Sequence, residues 1–357
     1  MRKPSNPMGL DYVFLAISTS VLLATPVESR AFSLEDDDSY FASTQAMPLL
    51  TLQPPTAAGL AVNTLGSLQE RLADRNLERH NDDIASTWSQ YFPGIGQART
   101  ATPLETRFTN TNANVQISPD LIVRESTDGN THRAGFFVGH NRMQSGLDGM
   151  SPRGNDNKGA VSLEGQSLGV YWTMAHTQGW HLDAVAMGTR FDSIGRADDG
   201  SRLDGNGHAL TLSLEGGYPI TLSKNWVIEP QAQVINQQFF PGAQDQAATL
   251  QAYDSMPTWT GRIGARLSGR YRVSGMPLEP YVRTNVWHDF SGGDTLSLGQ
   301  VDKISSGRNA TTVELGLGLV ARVNQKVSVF VSADYSSNID DDDLNGMIGN
   351  IGMRVRW

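Results

Sequence analysis

The sequence predicts an all-β fold, a 12-stranded antiparallel transmembrane β-barrel, from three observations. After Ser86 the apolar residues recur with a period of two, and that period holds to the last residue. The segments that carry it are long enough to cross a bilayer at a tilt. The connections between them alternate short with long.

Strands are expected near 87–98, 113–125, 132–144, 160–176, 180–193, 206–218, 226–238, 258–273, 278–290, 310–322, 327–337 and 347–357. In one of them Val313, Leu315, Leu317 and Leu319 point one way while Thr312, Glu314, Gly316 and Gly318 point the other. In another, Ile263, Ala265, Leu267, Gly269 and Tyr271 form the apolar row, with Arg262, Arg266 and Arg270 opposite. A soluble β-sandwich alternates too, but its strands usually run to only about five or six residues.

The short connections are 127–131, 177–179, 219–225, 274–277 and 323–326, following the even-numbered strands. The long ones, 146–159, 195–205, 239–257 and 291–309, are rich in Gly, Asp, Ser and Asn. Barrels of the bacterial outer membrane have short periplasmic turns and longer external loops, so both ends of the strand region belong on the periplasmic side. The expected location is therefore the outer membrane of a Gram-negative bacterium, with outer-membrane lipid around a single chain, a monomer.

Composition narrows the function classes. Hydrophobic residues make up 39% of the 357 and charged residues 18%, with a mean hydropathy of -0.33. No run of 18 apolar residues stands in the body of the chain, so it offers no transmembrane helix. The absence of cysteine excludes disulfides and thiolate chemistry and suits a chain that crosses the periplasm unfolded. A net charge of -9, with 28 basic against 37 acidic residues, argues against nucleic acid as a partner.

The N-terminus reads as a weak secretory signal over 1–31. Arg2 and Lys3 precede the apolar run from Val13 to Ala24, and Ser29 with Ala31 offers a small-x-small cleavage pattern. Asp11 interrupts the pattern, and an unstructured remnant of a longer coding region is the alternative. The segment 32–59 is acidic and then Pro-rich, a linker or disordered arm. From 63 to 79, Leu65, Leu68 and Leu72 fall at helical spacing, with Glu70, Arg71, Asp74, Arg75 and Glu78 on the other faces. One amphipathic helix fits, and an ordinary surface helix would show the same pattern.

The chain ends Asn350, Ile351, Gly352, Met353, Arg354, Val355, Arg356, Trp357. This resembles the assembly signal of outer-membrane barrels, whose terminal aromatic is read by the barrel-assembly machinery; Asn350, Gly352, Val355 and Trp357 carry the likeness. An edge strand with unpaired backbone groups can be captured by strand addition, with alternate side chains giving specificity.

The region 60–357 as a whole resembles the translocator domain of pertactin-like autotransporters, the proteins of type V secretion. The likeness rests on several short motifs. Leu68 to Arg75 looks like the helix before the barrel, and Trp88 like the aromatic opening the first strand. Residues 226–233 (Trp-Val-Ile-Glu-Pro-Gln-Ala-Gln), 261–264 (Gly-Arg-Ile-Gly) and 313–318 (Val-Glu-Leu-Gly-Leu-Gly) look like strand motifs of the family. The resemblance implies a barrel over 87–357 with the N-terminal α-helix threaded through its lumen. It implies a passive translocator and anchor, with no cofactors and no enzymatic activity, met by periplasmic chaperones and the assembly machinery during biogenesis. Such proteins carry a long passenger before the helix; here the passenger is expected to be very short or missing.

Two other functions compete, a porin-like diffusion channel and an outer-membrane hydrolase. A porin has no reason to place an amphipathic segment before its barrel, and a hydrolase needs a convergent acid and base at the external rim. His288 and Asp289 are adjacent in a strand and so face opposite ways. Asp340 to Asp343 lack the alternating oxygen ligands and closing Glu of a calcium loop, and read as solvated external loop. Gly205 and Gly207 read as a turn leading into a strand. The lumen is the more informative place. Glu215, Glu229, Gln231, Gln233, Arg262, Arg266 and Glu314 occupy the face opposite the apolar rows, and a charge on the lipid face costs about 2–4 kcal/mol near the midplane. They are expected to face inward, to pair with one another and to hold the helix.

Overall fold

The computed structural model describes Leu65 and residues 86–100, 106–150, 156–197, 202–241, 251–254, 257–290, 294–298, 301–306, 311–339 and 345–356. Twelve long strands dominate these residues: β1 (Ser86–Thr100), β2 (Thr106–Glu125), β3 (Thr131–Met150), β4 (Asp156–Ala175), β5 (His181–Ala197), β6 (Arg202–Gly217), β7 (Trp226–Pro241), β8 (Thr258–Gly269), β9 (Met276–Asp289), β10 (Thr311–Arg322), β11 (Val327–Asn338) and β12 (Asn345–Arg356). Each pairs antiparallel with the next, and β12 returns to pair with β1, so the twelve form a closed ring with no free edge. Gln251–Asp254, Asp294–Leu298 and Val301–Ser306 make a separate three-stranded sheet within the long connections after β7 and β9.

Closure fixes the dimensions. Carried at constant register from Thr258 through Gln237, Thr211, Met187, Gly169, Phe137, Ser118, Trp88, Arg354, Ser328, Arg322 and Pro277, the circuit returns at Arg272, three residues past the end of β8. That stagger of about fourteen residues, with strands about 4.8 Å apart and about 3.3 Å per residue, gives a tilt of about 39° and a backbone radius of about 12 Å. Inward side chains take roughly 5 Å from each side, leaving about 14 Å, room for one helix of about 10–12 Å diameter.

Burial alternates along the strands with the polarity reversed from a soluble protein. Ile263, Leu315, Leu317, Val331, Ile351 and Met353 face out and are exposed. Arg262, Arg266, Ser332, Asn350, Arg354 and Arg356 face in and are buried. Exposed aromatics cap this apolar surface: Trp226, Tyr218 and Tyr271 near the short turns, Trp259, Phe290 and Tyr335 near the long connections. At about 3.3 Å per residue and about 39° of tilt, Trp259 and Tyr271 stand about 31 Å apart along the axis, close to the apolar band with its aromatic girdles in a membrane barrel.

The short turns after β2 and β4 are built alike. Ser126 donates its N–H to the Asn130 carbonyl at 2.7 Å, and Gly129, at φ 77°, donates to Ser126 at 3.0 Å. His176, Gly179 and Trp180 repeat this, with Gly179 at φ 95°. This is a type I turn closed by a left-handed residue, which glycine adopts without a Cβ penalty.

The strands differ from the sequence expectation at the long-connection end. Much of the stretch assigned to loop at 146–159 is strand, to Met150 in β3 and from Asp156 in β4, and β5 and β6 likewise extend to Ala197 and from Arg202. The sequence of these residues carries no period-two apolar row, which is the signal that marks a strand crossing lipid. Gly205 and Gly207 lie inside β6 rather than in a turn. At Gly207 a Cβ would come within 2.7 Å of the Phe191 ring.

Candidate functional site

The inward wall of β5 to β11 carries one connected set of polar side chains, centred on Arg262. Its Nε donates to Gln233 Oε1 at 3.0 Å, and its Nη1 donates to Asn285 Oδ1 at 2.9 Å and to Gln231 Oε1 at 3.2 Å. Nη2 stands 3.2 Å from Glu215 Oε2. The guanidinium also lies over the Trp287 ring, 5.4 Å from its centroid. The residues around it tie in further strands. Asn285 donates to Glu314 at 2.6 Å, Gln231 to Glu229 at 2.7 Å and Gln233 to Ser213 at 2.8 Å. Arg283 grips Asp334 with two bonds of 2.8 and 2.7 Å. His181 stands 3.9 Å from both Glu215 and Glu229.

Other inward groups gather around Asp120 of β2. Its carboxylate accepts from the Tyr171 hydroxyl at 2.6 Å and from Arg133 at 3.0 Å, and Arg354 of β12 is 3.9 Å away. Asp183 accepts from Thr173 beside it. Arg266 pairs with Glu279 at 3.1 Å and lies over the Tyr281 ring at 3.8 Å.

Between the charged patches lies an apolar one. Phe137, Tyr171, Val185, Met187 and Ile235 are buried together, Trp287 packs at their side, and Leu65, in helical conformation and 1% exposed, sits among them. These partners come from β3, β4, β5, β7 and β9, all from inward positions.

The structure brings Glu215, Glu229, Gln231, Gln233, Arg262 and Glu314 into the single set above; Arg266 stands in register between Glu229 and Arg283 of that set and pairs with Glu279. Asn285, Arg283, Asp334, His181 and Asp120 are members or neighbours that sequence reasoning did not single out. Each stands on the inward parity of its strand, and that parity was the available signal. Of the helix residues, Leu65 is placed as described; Leu68, Glu70, Arg71, Leu72, Asp74 and Arg75 lie outside the described residues, as do 1–31 and 32–59. In β12, Asn350 and Gly352 stand on the inward row and Val355 on the outward one, while Trp357 lies outside the described residues. His288 Nδ1 is 3.0 Å from the Thr311 hydroxyl, and Asp289 accepts from Thr260 at 2.9 Å, so these adjacent side chains serve different strands.

A closed twelve-stranded barrel with an apolar girdled exterior and a charged interior is an outer-membrane protein. A family model, the autotransporter beta-domain, matches residues 87–334, more than half of the chain. The chain belongs to that family, whose barrels are the outer-membrane translocators and anchors of type V secretion. It is 26% identical over 309 residues to the pertactin autotransporter of Bordetella parapertussis, covering 80% of this chain and 32% of that protein. It is also 26% identical over 324 residues to the adhesin BmaC autotransporter of Brucella suis, covering 83% of this chain and 9% of that one. The chain thus spans about a third or less of the length of these relatives. Among solved structures, the transport unit of AIDA-I from Escherichia coli aligns with a TM-score of 0.67 at 16% identity, covering 80% of this chain and 97% of that one. The β domain of the Bordetella autotransporter BrkA aligns at 0.57 and 21% identity, covering 77% and 100%. These two show the fold.

Proposed function

We propose that this barrel moves an N-terminal segment of its own polypeptide to the cell surface and then holds 63–79 as a helix in the lumen, acting passively and without enzymatic activity. The observation that supports the reading is Leu65. A helical leucine, 1% exposed and clustered with five inward-facing residues of the barrel wall, is what a helix lying in the lumen would give. The width agrees: about 14 Å of clear space takes one helix and no second. Glu70, Arg71, Asp74 and Arg75 would then meet a wall that carries carboxylates and guanidinium groups in comparable number, where exposed pairs contribute little and buried ones set register.

Biogenesis follows from the same reading. The chain is proposed to reach the outer membrane with periplasmic chaperones, to present β12 to the barrel-assembly machinery, and to work as a monomer in outer-membrane lipid.

The test is conductance in planar bilayers. The full chain should conduct poorly, and removing residues 1–80 should raise conductance several-fold while the barrel stays folded. Equal conductance would support the diffusion-channel reading.

A further inference from the structure

On the outer surface, β3 to β6 depart from the apolar pattern at one level. His140, Gln166, Arg190 and His208 are successive partners across the four strands, all on the outward face and all exposed. Neighbouring strands put such side chains about 5 Å apart, so the four form a continuous row. Each can donate hydrogen bonds, and none is a carboxylate. Arg190, His140 and Gln166 make no hydrogen bond or ion pair among the described residues; His208 stacks on Phe240 at 5.0 Å.

The height of this row follows from the stagger. Each step from β8 toward β3 lowers the paired position by about 3 Å along the axis, and each residue along a strand recovers about 2.6 Å. All four therefore stand within about 5 Å of the level of Trp259, the outer aromatic girdle, where lipid headgroups begin. Directly against the row lies a groove of about 930 Å³. Its apolar walls are Ile117, Val138, Leu168 and Leu210, and Gly188 forms its floor, with nothing within 4 Å of where a Cβ would stand.

The next row outward holds Arg142, Glu164, Asp192 and Asn206. Arg142 and Glu164 are 3.5 Å apart, so this row carries its own pair, and the inner row is the one that joins donors to the groove. A net charge of -9 gives the chain no general attraction for anions, which makes a local row of donors at headgroup height specific.

We propose that this face seats a phosphate-bearing lipid of the outer leaflet, its phosphate on Arg190 between Gln166 and His208, with His140 at the end of the row and an acyl chain lying over Gly188. Arg190 suits phosphate because its planar fork of donors matches two phosphate oxygens at once. The groove supplies what a soluble phosphate would not need. The inference rests on the membrane placement of the barrel and not on what its lumen holds.

The test uses the full chain in detergent, with native mass spectrometry against bisphosphorylated lipid A and against the same lipid with its phosphates removed. The wild type should retain the phosphorylated form about tenfold more tightly, and Arg190→Glu should abolish that preference. Gly188→Leu, which meets no neighbour at its Cβ, should weaken retention of both lipids by filling the groove. Heat-modifiable mobility should be unchanged in both variants, since the Arg190 side chain faces outward and a Cβ at Gly188 meets open space. Equal retention of the two lipids by the wild type, or a preference that survives Arg190→Glu, would overturn the proposal. Full displacement of the lipid by inorganic phosphate would do so as well, because it would leave the groove without a role.

Discussion

Arg262 of β8 and Glu215 of β6 meet at 3.2 Å across a strand to which neither belongs. Gln233 of β7 stands between them in register and accepts from the same guanidinium. Three strands are thereby locked at one level. Removing one partner leaves a buried charge uncompensated, which costs about 3–5 kcal/mol. Arg262→Met is expected to lose about that much, measured as a lowered temperature or urea midpoint for loss of the heat-modifiable form. Adding Glu215→Gln should restore part of it, and strictly additive losses would mean that the two do not act as a pair.

The tip of the Phe137 ring stands against Gly169 of the next strand, so that a Cβ there would clash with it. Gly169→Ala should cost about 1–3 kcal/mol by overpacking. In a Phe137→Leu background the same change should cost less, because the shorter side chain can turn aside. Denaturant midpoints of the four proteins decide it.

Ile263 is 66% exposed, well inside the girdles on the lipid face. Ile263→Arg is predicted to lower stability by about 2–4 kcal/mol, whereas Arg at the Trp259 level should cost about 0–1 kcal/mol for its charge. Refolding into lipid vesicles across a urea series measures both. Similar losses at the two depths would mean that the exterior does not face hydrocarbon.

β12 closes the ring against β1, so its capture must precede closure. Deleting Trp357, or changing both Val355 and Trp357 to Asp, is predicted to block membrane assembly and leave the chain to periplasmic proteases. Normal levels of heat-modifiable, membrane-inserted protein would show that these residues are not the signal.

The number of strands, the face each residue takes and the positions of the short turns could all be read from the sequence. Lipid on one side and a wet lumen on the other impose a period of two, so the rows Leu315, Leu317, Leu319 and Arg262, Arg266 announce themselves within a dozen residues. The full extent of β3 and β4 could not be read, because Ser145 to Met150 and Asp156 to Gly159 carry no period-two apolar row in the sequence.

Within the site, the inward parity of Glu215, Gln233 and Arg262 is a property of their own strands and is present in the sequence. Their meeting is not. Arg283 and Asp334 are 51 residues apart and join only because β9, β10 and β11 pair in one particular register. The level of Arg190 beside Trp259 depends on the stagger accumulated around the whole ring. Sequence determined which face each side chain takes, since that choice is made locally between lipid and water. Only the closed barrel decided which side chains meet, since register and stagger are properties of the entire circuit of strands.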